Sequence, residues 1–124
     1  MSLPVFLALA AAGGVGAAAR FMVDGVIRAR FVTAYPWATT VINVTGSFLL
    51  GLLTALVTRS LVSSEWSLVL GTGFLGGYTT FSTASYETVR LVRERRYAAA
   101  LGSGLGMLAG CVAAAALGYW VGGS

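Results

Sequence analysis

The sequence predicts an all-α integral membrane protein with four transmembrane helices. Three observations predict it. Only 10% of the 124 residues are charged, and mean hydropathy is +0.85; soluble domains carry roughly 25% charged residues. Four apolar spans, about 3–23, 37–57, 66–89 and 97–121, follow one another with short connections, each near the ~20 residues that cross a bilayer. Trp37, Trp66, Tyr97, Tyr119 and Trp120 fall at span ends, where amphipathic rings settle at headgroup level. Length and composition point to a single domain over 1–124. There is no Lys and no His, so a His-based general base and a Ser-His triad are excluded. Cys111, the sole cysteine, lies in an apolar run, which leaves neither a disulfide framework nor a zinc-type cluster. The net charge of +4 is all arginine. Topology and lipid headgroups account for it, and no nucleic-acid partner is needed.

The first span has no basic residue ahead of its apolar stretch, so it is not read as a cleavable signal peptide. It carries Gly13 and Gly16 and ends near Arg20. That arginine either snorkels to the headgroups or places a positive charge at a vestibule mouth and concentrates anions there. The second span follows the helix-starting Tyr35-Pro36 and puts Thr39, Asn43 and Ser47 four residues apart, on one face. An asparagine in mid-span is interhelical glue or a functional group. Its two N–H donors suit an anion, and its carbonyl can equally face a helix.

The third span contains Gly71-Thr-Gly-Phe-Leu-Gly-Gly-Tyr-Thr-Thr-Phe-Ser-Thr83. Each interior glycine disfavours a continuous helix by about 1 kcal/mol. In lipid, every freed backbone group must find a partner in the protein or in a water-filled cavity. The third helix is therefore expected to break near the bilayer midplane, with carbonyls and amides available to an ion, as in broken transporter helices. The alternative is a kinked packing helix whose Ser and Thr bond back to their own turn. Phe81 closes the hydroxyl run; it packs, or it offers an anion the positive edge of its ring. Glu87, about one turn on, is expected to pair with a nearby arginine.

The fourth span carries Gly102, Gly106, Gly110, Ala114 and Gly118 at four-residue spacing. This small-residue ridge lets another helix approach, inside the bundle or across a subunit interface. Gly46 and Gly51 in the second span read the same way. Ser103, Met107 and Cys111 form a row beside the ridge, in which only Ser103 is a good donor.

Arginines set the expected orientation. Arg28, Arg30, Arg90, Arg93, Arg95 and Arg96 lie in the loops after the first and third spans, against Arg59 alone on the other side. The positive-inside rule puts those two loops in the cytoplasm and both termini outside. Four short helices can hardly enclose a pore, so an oligomer is expected, most simply a dimer.

Three ordered motifs then carry a resemblance: Gly13-Gly-Val-Gly-Ala-Ala-Ala-Arg20, Thr39-Thr-Val-Ile-Asn-Val-Thr-Gly-Ser-Phe48, and Gly73-Phe-Leu-Gly-Gly-Tyr-Thr-Thr-Phe-Ser-Thr83 with Glu87 beyond it. Over nearly its whole length the chain resembles the Fluc fluoride channel family, the CrcB-type proteins. The resemblance implies a plasma-membrane, dual-topology dimer of two subunits inserted antiparallel, with two narrow fluoride pores built from both. It implies a structural sodium ion on the dimer axis, held by main-chain carbonyls at the positions of Gly76 and Thr79. It implies an ion pathway through Asn43, Phe81, Ser82 and Thr83, with Thr39, with Ser103 from the fourth span, and with Arg20 near the vestibule. The implied activity is passive, selective fluoride export that relieves fluoride toxicity, and not an enzyme reaction.

Two positions depart from the family pattern. Ala84 stands where a second phenylalanine closes the hydroxyl run, and Met107 stands where a polar residue is expected. Each implied pore takes one phenylalanine from each subunit, so a homodimer would lack a wall in both. The arginine bias also disfavours insertion in both directions. Together these suggest pairing with an oppositely oriented paralogue rather than with a second copy. A non-conducting structural or regulatory subunit is the alternative these departures keep open. A small multidrug exporter fits worse, because residues 3–22 hold no carboxylate.

Overall fold

A computed structural model describes residues 1–31 and 37–123, and for Ser82 and Thr83 it describes the backbone alone. The expected helix start at Tyr35-Pro36 lies outside the described residues. α1 runs Leu3–Arg30, seven residues beyond the expected end at Val23. Nothing after Val23 breaks it. Arg28 pairs with Asp24 one turn earlier at 2.8 Å, a spacing that supports a helix, and Arg28 and Arg30 complement the dipole of the last turn. At its start, the Ser2 side chain accepts from the Val5 N–H, with Pro4 in the first turn. At about 1.5 Å per residue the helix outruns a ~30 Å hydrocarbon core, so one end reaches into the headgroup layer.

α2 spans Trp37–Thr58. Thr45, Thr54 and Thr58 donate to carbonyls four residues back at 2.7, 2.8 and 2.9 Å, which satisfies hydroxyls on an apolar helix. Between 64 and 93 the chain is helical in two parts: α3 (Ser64–Ser67), a π-helical stretch over Leu68–Leu75 and α4 (Gly76–Tyr78) run on without a break, and non-helical Thr79–Phe81 separates them from α5 (Ser82–Arg93). α6 runs Tyr97–Gly123. α1, α2 and α6 are the three described helices long and apolar enough to cross a membrane.

Two turns are tighter than the sequence suggests. After α2, Ser60 has φ 61° while Leu61 N–H bonds the Leu56 carbonyl and Ser60 N–H the Val57 carbonyl; after α5, Arg95 (φ 60°), Arg96 and Leu91 repeat the arrangement. Both are left-handed helix caps of a kind that glycine usually fills.

Packing runs in two seams, α1 against the π-helical stretch and α4, and α2 against α6. In the first, Gly73 meets Leu9 and Gly77 meets Gly13 and Ala17; in the second, Gly110 meets Val44, Gly118 meets Phe48 and Gly122 meets Ala55. Residue numbers rise together along each seam, so the elements of each pair run in the same direction. The approach is backbone to backbone. A Cβ on Gly118 would lie 2.1 Å from the Phe48 carbonyl oxygen, and one on Gly77 2.1 Å from the Gly13 carbonyl oxygen. The expected glycine ridge on α6 is therefore split, with Gly118 inside the bundle and Gly102 meeting nothing within 4 Å. Gly118→Ala is expected to destabilise the fold by about 1–3 kcal/mol, since a carbonyl cannot yield as a side-chain tip can. Gly102→Ala is expected to be neutral or mildly stabilising, and detergent unfolding curves of the two variants check the contrast.

Candidate functional site

The site is built where α2 meets the non-helical Thr79–Phe81. Asn43 Nδ2 donates to the Thr80 carbonyl at 2.9 Å, and the Thr80 N–H donates to Asn43 Oδ1 at 2.8 Å. A side-chain amide thus pairs with a backbone amide at both ends, and this fixes which end of the carboxamide is nitrogen. The second Nδ2 proton is directed to Met107 Sδ on α6, at 3.3 Å. In a continuous helix the Thr80 N–H would serve the Gly76 carbonyl; here it goes to Asn43. Thr79 closes the preceding turn, its N–H and Oγ1 both donating to the Leu75 carbonyl at 2.9 Å. The interruption is held open from outside, by Asn43.

An open, mostly apolar groove of about 670 Å³ runs past this pairing. α2 contributes Asn43 and Ser47, α4 Gly76, the interruption Thr79, Thr80 and Phe81, α5 Ala84, and α6 Ser103, Met107 and Cys111. Phe81 is 86% exposed. Ser103 is buried, with no hydrogen-bond partner for its hydroxyl among the described residues.

A second, smaller cavity of about 250 Å³ holds Arg20, Asp24 and Thr39, and Thr80 lines both spaces. An ionic cluster shares Asp24 and Thr39 with it. Glu87, 3% exposed, accepts from the Thr39 hydroxyl on one oxygen and from Arg28 Nη2 at 3.2 Å on the other. Arg28 Nε lies between the two Asp24 oxygens, at 2.8 and 3.0 Å. Glu87 thus pairs with an arginine as expected, and the arginine comes from α1.

Of the residues predicted from sequence, Asn43, Phe81, Ser103, Gly76 and Thr79 meet at the groove. Arg20 and Thr39 sit in the second cavity, and the Thr39 hydroxyl is committed to Glu87. Ser82 and Thr83 open α5, and their side chains lie outside the described residues. Sequence reasoning missed Thr80 and the pairing role of Arg28. The four-residue Asp24–Arg28 spacing was a usable signal for the second; a contact between positions 43 and 80 had no local one.

Residues 7–119 match the family model described as CrcB-like protein, Camphor Resistance (CrcB). The chain is 58% identical over 119 residues to the fluoride-specific ion channel FluC 1 of Leifsonia xyli subsp. xyli, a match covering 96% of this chain and 87% of that one. It is 43% identical to the fluoride-specific ion channel FluC 3 of Bifidobacterium longum, over 96% of this chain and 97% of that one. Against the fluoride-specific ion channel FluC of Geobacter sulfurreducens the identity is 42%, over 97% and 94%. With three helices of crossing length, the chain is a multi-pass membrane protein, and it belongs to the CrcB family.

Proposed function

We propose that the chain is a subunit of a fluoride-selective channel that lets fluoride leave the cytoplasm passively and so relieves fluoride toxicity. The observation that carries this reading is the Asn43 carboxamide, held rigidly by Thr80, with one N–H turned toward α6 beside a mostly apolar groove. Fluoride is small and tightly hydrated, and it crosses a dry constriction only where close donors replace its water; a larger anion fits such donors poorly. The Ser103 hydroxyl, without a partner among the described residues, supplies a second donor, and Phe81 a ring edge. Arg20, in the cavity beyond Thr80, raises the local anion concentration.

The single domain over 1–124 is read as four crossings, the third made of α3, the π-helical stretch, α4 and α5 and interrupted at Thr79–Phe81. The shared direction of α1 with the π-helical stretch, and of α2 with α6, supports an alternating path. The open groove, with Phe81 exposed on it, is the face that a second, antiparallel subunit would complete. A sodium ion suits the oxygens of this interruption. The Gly76 carbonyl has lost its helical amide partner to Asn43, Thr79 lines the same groove, and hard backbone oxygens suit such a cation. Bound there, sodium would neutralise converging carbonyl dipoles from two subunits.

Ala84 lines the groove where a second phenylalanine is expected. This supports pairing with an oppositely inserted paralogue that supplies the missing ring. It equally favours a second reading, a non-conducting structural subunit. Fluoride efflux from liposomes, followed by a fluoride electrode with chloride as control, tests both. The expected outcome is little efflux from the chain alone and selective efflux when it is paired with the paralogue. Robust efflux from a pure homodimer removes the need for a partner, and efflux indifferent to Asn43→Ala in the pair removes the channel role.

A further inference from the structure

Asn43 carries two Nδ2 protons, and the protein gives them unequal acceptors. One is held by the Thr80 carbonyl at 2.9 Å, and the other faces Met107 Sδ at 3.3 Å. The amide cannot exchange its two ends, because Oδ1 receives the Thr80 N–H. A thioether is a weak acceptor, so the second N–H is held loosely. The sulfur nonetheless prevents that N–H from being orphaned, which would be unfavourable in a mostly apolar groove. Met107 itself is 8% exposed and lines that groove.

We propose that Met107 is a positioning residue that sets fluoride affinity in the ion path, its sulfur serving as the resident acceptor that fluoride displaces from the Asn43 N–H. The inference rests on the fluoride-channel reading. The recognition step is an exchange of acceptors on one fixed donor. Fluoride, a strong acceptor, gains much by replacing sulfur. Chloride is larger and a weaker acceptor, so it gains less from the same exchange. The unbranched methionine side chain has rotatable bonds enough to swing aside without disturbing α6. A stronger resident acceptor would compete with the ion, and removing the acceptor would favour it.

Asn43 is the only side-chain carboxamide in the sequence, with no other Asn and no Gln. Selective ¹⁵N-asparagine labelling therefore gives a single Nδ2H₂ signal pair, which can be followed in nanodiscs in whichever assembly conducts. Met107→Leu, ion-free, is expected to move one of the two proton resonances and leave the other. Fluoride should move that same resonance in the unaltered protein, and chloride at equal concentration should not. The fluoride concentration at half-titration is expected to fall about threefold in Met107→Leu and to rise about fivefold in Met107→Gln, the scale of one net hydrogen bond. If Met107→Leu fails to fold, norleucine keeps the shape and removes the sulfur; the other methionines, Met1 and Met22, are 76% and 69% exposed. Equal half-titration points in the Leu and Gln variants would overturn the proposal. So would fluoride moving the Thr80-facing proton, or neither, while efflux persists, and the channel reading would then stand. Absence of both efflux and any proton response to fluoride overturns the channel reading, and this inference with it.

Discussion

Replacing Asn43 by alanine is expected to destabilise the protein by about 3 kcal/mol and to cut fluoride efflux by roughly 100-fold. The stability term comes from Thr80, which is 8% exposed and whose N–H and carbonyl both pair with the Asn43 carboxamide. Each buried backbone group left without its partner costs about 1–3 kcal/mol. Access from the groove lets water recover part of that, so the lower half of the combined range applies. The flux term has a separate origin. Removing one preorganised donor for an anion costs a factor on the order of 100 in other settings, and here the same deletion also releases the backbone that carries Phe81. Ser47→Ala is the control. Ser47 lies one turn along the same face of α2 and lines the same groove, but it makes no contact with Thr80 that the pairing needs. It is expected to stay within about 0.5 kcal/mol of the parent, as ordinary substitutions do. Detergent unfolding and liposome efflux, measured on both variants, separate the two terms; an Asn43→Ala protein as stable as the Ser47→Ala one would mean that the interruption at Thr79–Phe81 holds itself.

Much of this arrangement was legible in the residues because the bilayer imposes strict rules. Long apolar runs announced α1, α2 and α6, and a glycine-dense, hydroxyl-dense segment announced that residues 64–93 would not form one helix. That Ser103, Met107 and Cys111 form one row followed from four-residue spacing alone; that the row lines a groove did not. What escaped was set by partners distant in sequence or by turns lacking their usual residue. Thr80 gave no sign that its own amide would be claimed by residue 43. Ser60 and Arg95 adopt left-handed φ values without being glycine or asparagine, so no turn signal marked either helix end. α1 overran its expected end at Val23, and Asp24 and Arg28, which follow that end, bond one another along the helix. Charge there extends the helix into the interface rather than ending it. The small-residue ridge of α6 was visible as a pattern, but which of its glycines face a carbonyl depends on helix rotation, which spacing does not set.

Arg28 counts toward orientation in the sequence and toward stability in the structure, and the second role predicts a large asymmetry. Glu87 is 3% exposed, with the Thr39 hydroxyl on one oxygen and Arg28 on the other. Removing Arg28 leaves a buried carboxylate with a single neutral donor. Breaking a buried pair from one side typically costs about 3–5 kcal/mol. The Arg28 side chain is 47% exposed, so solvent already screens part of the attraction, and Arg28→Met is expected to cost about 2–3 kcal/mol. Glu87→Gln is expected to cost only about 1 kcal/mol, because Gln still accepts from Thr39 and Arg28 retains Asp24. The double variant should then be nearly as stable as Glu87→Gln alone, since the buried charge that made the loss of Arg28 costly is gone. Asp24→Asn touches only the exposed four-residue pair and is expected to cost about 0.5 kcal/mol or less. Unfolding of the four proteins in one detergent checks the order. If Arg28→Met falls no further than Asp24→Asn, the cluster does not fasten α5 to α1. If the order holds, the end of α1, the start of α2 and the helix that follows the interruption are tied at one point. Asn43 then holds the interruption at Thr80 itself, so its backbone is fixed by side chains of other helices rather than by its own helical bonds.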